Sequence, residues 1–186
     1  MAQDHEYTDC SEELTCALAE LLRLSLVAPF PSIRCDPGDV DALLEALHAL
    51  RPALLEFYAF DGFVHAARRD WHAAIDIFAA LTDKSIGLPG NAAMLIYCVA
   101  ANGDAQWRAL SDDMLSVESL AREARLFVMS VVAHYDMAEA HKRSLRTGIL
   151  VEPESMQRLR RETIGANADT PASAERRSLA EHYLGL

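Results

Sequence analysis

Histidine is the side chain best suited to bind a metal or carry a proton near neutral pH, and the chain has seven. His65 and His72 are seven residues apart, as are His134 and His141. A structural or catalytic zinc site needs three or four converging ligands, usually from a recognisable motif such as HExxH. No such motif occurs, and a predicted turn separates His65 from His72. We therefore expect structural histidines, with neither a metal site nor a cofactor.

Cysteine could supply a nucleophile, a disulfide or a metal ligand. The four cysteines, Cys10, Cys16, Cys35 and Cys98, are far apart and include no CxxC pair. Cys98 lies in the most apolar segment of the chain, where a free thiol packs like a small hydrophobic side chain. The pattern favours reduced thiols.

Carboxylates are the remaining candidates for chemistry. Asp61 lies within the otherwise apolar segment 57–64, where a buried acid needs a partner, and Arg68 or Arg69 could provide one. Asp61 is either a groove residue that binds a basic or amide group, or a salt-bridged acid. There is no Gly-x-Ser-x-Gly motif, no glycine-rich phosphate loop and no Ser, His and acid arrangement. We do not expect an enzyme.

Charge narrows the class of partner. The net charge is −11; residues 1–136 hold 21 acids against 9 Lys/Arg, or −12, and residues 137–186 hold 7 against 8, or +1. An acidic surface disfavours nucleic acid and favours basic peptides or a basic subunit. The run Arg158, Arg160, Arg161 is small, and Glu154 and Glu162 flank it, so we interpret it as a solvated helix face.

The elements that position these side chains are predicted to be helices. Apolar residues recur at steps of three and four, and the two-residue alternation typical of strands is never sustained. Pro29 and Pro31 end the first helix, and Asp39 is a plausible cap for the second. The pattern predicts helices at Ser11 to about Ala28, Ala53 to about Arg68, Ala92–Ala101, about Leu120 to Tyr135, and Glu154–Thr163. Three further helices are predicted to begin after Asp39, Asp70 and Asp104.

A 34-residue repeat organises these helices. Asp70 and Asp104 both begin a helix after a tight turn, and 34 residues is the tetratricopeptide period. Small residues at Gly62 and Ala74 suit a close helix crossing, and we expect Phe78 to fill space beside the next unit. The repeat-defining residues are Gly62, Asp70, Trp71, Ala74, Phe78, Gly103, Asp104 and Trp107. The second unit is degenerate, with Ile96 and Arg108 at the two small-residue positions.

The predicted fold is therefore all-α, with tetratricopeptide-like antiparallel helix pairs stacked into a short solenoid. We divide the chain into a flexible N-terminus (1–10), a helical domain (11–150) and a C-terminal tail with one or two short helices (151–186), in which residues 165–173 look like a linker. Stacked pairs form a groove lined by the first helix of each pair. The partner-binding residues predicted from this geometry are Tyr58, Asp61, His65, Met94 and Tyr97. Trp71 and Trp107 are either partner anchors or core residues.

The segment from about Leu50 to Arg108 resembles the Hrp-type (HrpB/HrpK) bacterial type III secretion proteins. The likeness is carried by Leu50-Arg51-Pro52, Phe60-Asp61-Gly62, Asp70-Trp71 and Gly103-Asp104 with Trp107-Arg108. Arg69 departs from it, because glycine is usual before the aspartate. The resemblance implies a tetratricopeptide-like fold related to the YscG-like needle chaperones, and protein subunits of a type III secretion system as partners.

Two functions follow from the repeat and the resemblance. One is a cytoplasmic chaperone or assembly factor that binds a small secretion subunit in a helical groove. The other is a self-associating structural component of the apparatus, on the periplasmic side. The acidic residues 1–13 resemble no secretory signal and no apolar run is long enough to cross a bilayer, so we expect a cytoplasmic protein without membrane insertion. Homo-oligomerisation stays open.

Overall fold

Helices supply all the regular structure in the part of the chain that the computed structural model describes, residues 11–31 and 36–168, with side chains through residue 164. No strand occurs among these residues, so the predicted all-α class is confirmed. The α-helices of the described ranges are α1 (Glu12–Leu22), α2 (Pro37–Leu50), α3 (Tyr58–Ala67), α4 (Trp71–Asp83), α5 (Gly90–Ala101), α6 (Trp107–Leu115), α7 (Arg122–Thr147) and α8 (Glu154–Ala168).

The chain forms two compact units, Met1–Leu110 and Ser111–Leu186. The division lies inside α6, within the region 11–150 that the sequence pattern suggests is one domain. The predicted flexible N-terminus, residues 1–10, and the tail after residue 168 lie outside the described residues.

The first helix begins and ends near the predicted positions. The Ser11 hydroxyl caps α1 by accepting a hydrogen bond of 3.3 Å from the backbone N–H of Leu14. A π-helical turn, Arg23–Val27, then extends α1 to Ala28, whose N–H donates to the carbonyl of Arg23 at 3.0 Å. Pro29 follows and, as predicted, the helix does not continue past it.

Two predicted helix starts are wrong. The cap of α2 is Asp36 and not Asp39: the Asp36 carboxylate accepts from the N–H of Gly38 at 2.7 Å, and Pro37 occupies the first helical position. The third helix does not begin at Ala53, because Leu54 takes extended backbone (φ −87°, ψ 92°) and interrupts it. A single 3₁₀ turn, Leu55–Phe57, leads into α3.

A hydrophobic core joins α1, the π-helical turn, α2 and α3 in the first unit. Aliphatic side chains from each element contribute to it, and partly buried aromatic residues of the α3 region pack against it. Its buried members are Leu22, Leu26, Val40, Leu44, Leu47 and Val64, flanked by Phe57, Phe60 and Phe63. In chain order α3 then packs on α4, and α4 on α5.

The 34-residue step reappears in the hydrogen bonds of two turns. The N–H of Asp70 donates to the carbonyl of His65 at 2.9 Å, and the N–H of Asp104 donates to the carbonyl of Val99 at 3.2 Å. In each turn the hydrogen bond joins the ends of a six-residue segment at the end of a helix. One residue of that segment has left-handed backbone: Arg69 (φ 62°) in the first turn and Gly103 (φ 83°) in the second. The same turn ends α3 and α5, and it also ends α4, where the N–H of Ile86 donates to the carbonyl of Leu81 at 2.9 Å and Ser85 is left-handed (φ 57°).

In the second unit, α7 is longer than the apolar pattern predicted. It continues past His141 to Thr147 and ends at Gly148, a left-handed residue with φ 75°. Its last turns are mostly exposed, so they carry no apolar stripe that could reveal them. The predicted linker is also wrong over residues 165–168, which belong to α8. The Ser155 hydroxyl donates to Asp136 at 2.7 Å and ties α8 to α7.

Candidate partner-binding surface

Helices α3 and α4 cross at Gly62. A Cβ atom built at this position would lie 2.7 Å from Cζ of Phe78, so the ring of Phe78 rests directly on the glycine backbone. Phe78 and Ala74 are both fully buried. The sequence pattern predicted close packing between Gly62 and Ala74, with Phe78 beside the next unit. The structure places the Phe78 ring against Gly62, within its own helix pair.

The turn before α4 is held by Asp70. Its carboxylate accepts from the N–H of Ala73 at 3.4 Å and lies 3.0 Å from Nδ1 of His65. In the matching turn, the Asp104 carboxylate accepts from the N–H of Gln106 at 2.9 Å. The His65 side chain therefore contacts the capping carboxylate in the turn before α4 and stabilises that turn.

The two tryptophans differ in exposure. Trp107 is buried, and the guanidinium of Arg108 lies 4.4 Å from the centroid of its indole ring. Trp71 is partly exposed and contacts Tyr97 edge-on, with ring centroids 6.1 Å apart. Trp71 therefore packs within the first unit, against α5.

A row of edge-to-face aromatic rings runs through the first unit. Phe78 contacts Phe63 (5.6 Å between centroids), Phe63 contacts Phe30 (5.5 Å), and Phe30 contacts Tyr97 (5.3 Å). Phe30 follows the π-helical turn, and its ring lies between Phe63 of α3 and Tyr97 of α5. Sequence reasoning missed Phe30, because it lies between two prolines, outside the helical pattern.

The five predicted groove residues do not form one open groove. Met94 is buried, and Tyr97 lies against Phe30 and Trp71. Burial raises the pKa of the Tyr97 phenol, with Cys98 adding to the increase and Arg69 opposing it. Tyr58 is the most exposed of the five, at 42%, and the His65 side chain is 36% exposed. The predicted groove side is thus partly filled by the chain's own Phe30.

Asp61 is paired with a histidine that sequence reasoning missed. Nε2 of His48 lies 2.7 Å from Oδ2 of Asp61, and the imidazole packs on the Tyr58 ring with centroids 4.7 Å apart. The suggested partner Arg68 instead pairs with Asp41: its Nη2 donates to both carboxylate oxygens, at 2.8 Å to Oδ1 and 2.7 Å to Oδ2. Asp61 therefore links α3 to α2.

An open apolar cleft lies beside Tyr58 in the first unit. It has a volume of about 410 Å³, and its walls come from the start of α3 and the second half of α4. Its lining residues are Leu55, Tyr58, Asp76, Ile77, Ala80, Leu81 and Lys84. We call this the Tyr58 cleft. Its surface is mainly apolar, so it suits hydrophobic anchors more than polar ligands.

Aliphatic side chains are exposed in the second unit, where α7 ends and α8 begins. They are 55–75% exposed and follow one another within seven residues: Leu145, Ile149, Leu150 and Val151. Beside them, Arg160 pairs with Glu152 at 2.6 Å and Arg158 with Glu154 at 3.3 Å. We call these four residues the aliphatic patch.

Reactive groups are sparse among the described side chains. They contain no group of three His, Cys, Asp or Glu residues that could hold a metal ion. Cys16 is exposed, whereas Cys98 is buried, and burial raises the pKa of its thiol to about 12. Cys10 and Cys35 lie outside the described residues. No helix in the described ranges is long and apolar enough to cross a membrane.

Comparison with known proteins gives one family. The sequence profile of the bacterial type III secretion protein family HrpB1_HrpK matches residues 5–136. The match covers the whole first unit from residue 5 and the first half of α7, and it ends before the aliphatic patch. No curated protein and no solved structure matches the chain.

Proposed function

The chain belongs to the bacterial type III secretion protein family HrpB1_HrpK, and on that premise we propose that it is a cytoplasmic chaperone or assembly factor. In this proposal it binds a small secretion subunit through the Tyr58 cleft. The observation that carries the proposal is an open, mainly apolar cleft between two helices of the matched region.

The cleft is apolar and open, so it can take apolar side chains from one face of an amphipathic helix. Such helices bind by inserting regularly spaced apolar anchors into a hydrophobic groove. Leu55, Ile77 and Leu81 offer aliphatic contacts, and the Tyr58 ring offers an amphipathic one.

The net charge of the first unit indicates which residues the partner should carry beside its apolar anchors. The first unit holds 16 acids against 7 Lys/Arg in residues 1–110, a net charge of −9. A client helix with basic residues beside its apolar anchors would be attracted to this unit and oriented on it.

Co-expression tests the proposal. The full chain is tagged and produced together with each small subunit of the secretion system of the same bacterium, and the complexes are purified at physiological salt. We expect one subunit to co-purify in a fixed ratio and to stay soluble only when the chain is present. If no subunit co-purifies or gains solubility, the chaperone proposal is wrong.

The aliphatic patch favours a second candidate, a self-associating structural component of the apparatus on the periplasmic side. Exposed clusters of large aliphatic side chains often mark protein interfaces. Light scattering of the purified chain and fractionation of the bacterium test this candidate. A monomer recovered only from the cytoplasm would contradict it, whereas an oligomer recovered from the periplasm would support it.

A further inference from the structure

We infer that the aliphatic patch of the second unit is a docking surface for the chain's own residues 169–186. These residues lie outside the described part of the chain, and we call them the C-terminal segment. The inference does not rest on the proposed function. It competes with the second candidate function, in which another copy of the chain covers the same patch.

The aliphatic patch adjoins a groove that the described residues leave open. The groove has a volume of about 410 Å³ and lies between the end of α7 and the start of α8. Ile149 and Val151 of the patch form its apolar wall, and Arg143 and Glu152 also line it. Removing large aliphatic side chains from water is favourable, so this surface favours an occupant with apolar side chains.

The C-terminal segment carries apolar residues at the spacing such a surface requires. Leu179, Tyr183 and Leu186 follow one another at steps of four and three, which is typical of one face of a helix. A short amphipathic helix is stable only when its apolar face packs on something. The tyrosine suits the groove, because its ring is apolar while its hydroxyl can reach charged groups such as Arg143.

The chain is long enough to return from the end of α8 to the patch. The patch lies where α8 begins, and α8 has 15 residues, which makes it about 22 Å long. Leu179 follows Ala168 by 11 residues, which span up to about 36 Å when extended. Pro171 lies between them and cannot donate the backbone hydrogen bond that would continue the helix, so a reversal is favoured there.

Charge and covalent attachment favour the C-terminal segment over a second copy. Residues 139–161, around the patch, hold 6 Lys/Arg against 3 acids, or +3, so two apposed copies would bring like charges together. Residues 169–186 hold 2 against 3, or −1. A segment tethered by a short linker also has an effective concentration of about millimolar at its site, far above that of a separate chain in dilute solution.

Disulfide trapping tests the inference in the full chain. Every cysteine except the buried Cys98 is replaced by serine. Leu184→Cys, which leaves the three spaced apolar residues intact, is then combined with Thr147→Cys to give the patch pair, or with Ser130→Cys to give the control pair. Both partner positions are exposed on α7, about 25 Å apart. Under mild oxidation of dilute protein, we expect the internal disulfide of the patch pair to form at least about tenfold faster than that of the control pair.

Substitutions on the two faces of the C-terminal segment separate docking from mere tethering. Leu179→Ser with Tyr183→Ser should lower the rate of the patch pair to that of the control pair, whereas Ser178→Ala, on the opposite face, should leave it unchanged. Equal rates for the two pairs, or a patch pair that is insensitive to the loss of both apolar residues, would overturn the inference. Disulfides between molecules in place of the internal one would overturn it as well, because they would make a second copy the occupant.

Discussion

Gly62 and Phe78 touch so closely that a methyl group at position 62 would lie 2.7 Å from the Phe78 ring. The ring is fully buried and cannot swing into solvent, so a larger residue at position 62 must push α3 and α4 apart. The contact explains why a glycine occupies the middle of α3, where it is otherwise unfavourable.

Gly62→Ala should destabilise the protein despite the better helix propensity of alanine. Overpacking costs about 1–3 kcal/mol, and the helix gain returns up to about 1 kcal/mol, so we expect a net loss of about 1–2 kcal/mol. Chemical denaturation measures it. Gly90→Ala is the matched control, because no atom lies within 4 Å of its added methyl group. A Gly62→Ala protein as stable as the control would show that the helices separate without cost.

The two matching turns should respond to substitution in opposite directions. Arg69 and Gly103 both have positive φ, which costs a non-glycine residue about 1–2 kcal/mol. Arg69→Gly removes this cost, but glycine also raises the entropy of the unfolded chain. We therefore expect a net stabilisation of about 0.5–1 kcal/mol. Gly103→Ala should destabilise by about 1 kcal/mol, because no neighbour blocks the methyl group and strain alone opposes it. Thermal unfolding of both variants checks the signs, and a gain from Gly103→Ala would contradict the shared turn.

The His48–Asp61 pair should couple α2 to α3. Its side chains are 25% and 26% exposed, so solvent screens their 2.7 Å contact less than it screens a surface pair. A double-mutant cycle with His48→Ala and Asp61→Ala should give a coupling free energy of about 1 kcal/mol. The Arg68–Asp41 pair, 41% and 52% exposed, is the control and should give about 0.5 kcal/mol or less. Equal coupling free energies for the two pairs would mean that the partial burial of His48 does not strengthen its pair with Asp61.

Cys98 should be inert while the protein is folded. A variant that keeps only Cys98 should react with a thiol reagent at pH 8 no faster than the protein unfolds, whereas one that keeps only Cys16 should react at once. The folded thiol has a pKa of about 12 against 9.0 for an unperturbed cysteine, so the unfolded chain loses its proton first. Stability should therefore fall between about pH 9 and 12 in the Cys98 protein, relative to Cys98→Ala. Rapid labelling of native Cys98 would contradict its burial.

The sequence and the structure agree where local chemistry decides the outcome. Asp70 begins α4 as predicted, because a capping side chain bonds to the backbone of its own turn. Contacts between distant residues were not predictable: Phe30 is 33 residues from Phe63, and His48 is 13 from Asp61. The predicted groove failed to anticipate Phe30, since helical periodicity cannot show which loop side chain fills a space between helices.

The central claim, that the Tyr58 cleft binds the client, is tested most directly by Ala80→Arg. Ala80 lines the cleft and is exposed, so the arginine fills the cleft without disturbing the core. Ala46→Arg, an exposed site on α2 outside the cleft, carries the same charge change. Calorimetric titration with the co-purifying subunit should give a dissociation constant at least about tenfold higher for Ala80→Arg, and an unchanged one for Ala46→Arg. Equal affinities for the two folded variants would place the client elsewhere and contradict the account.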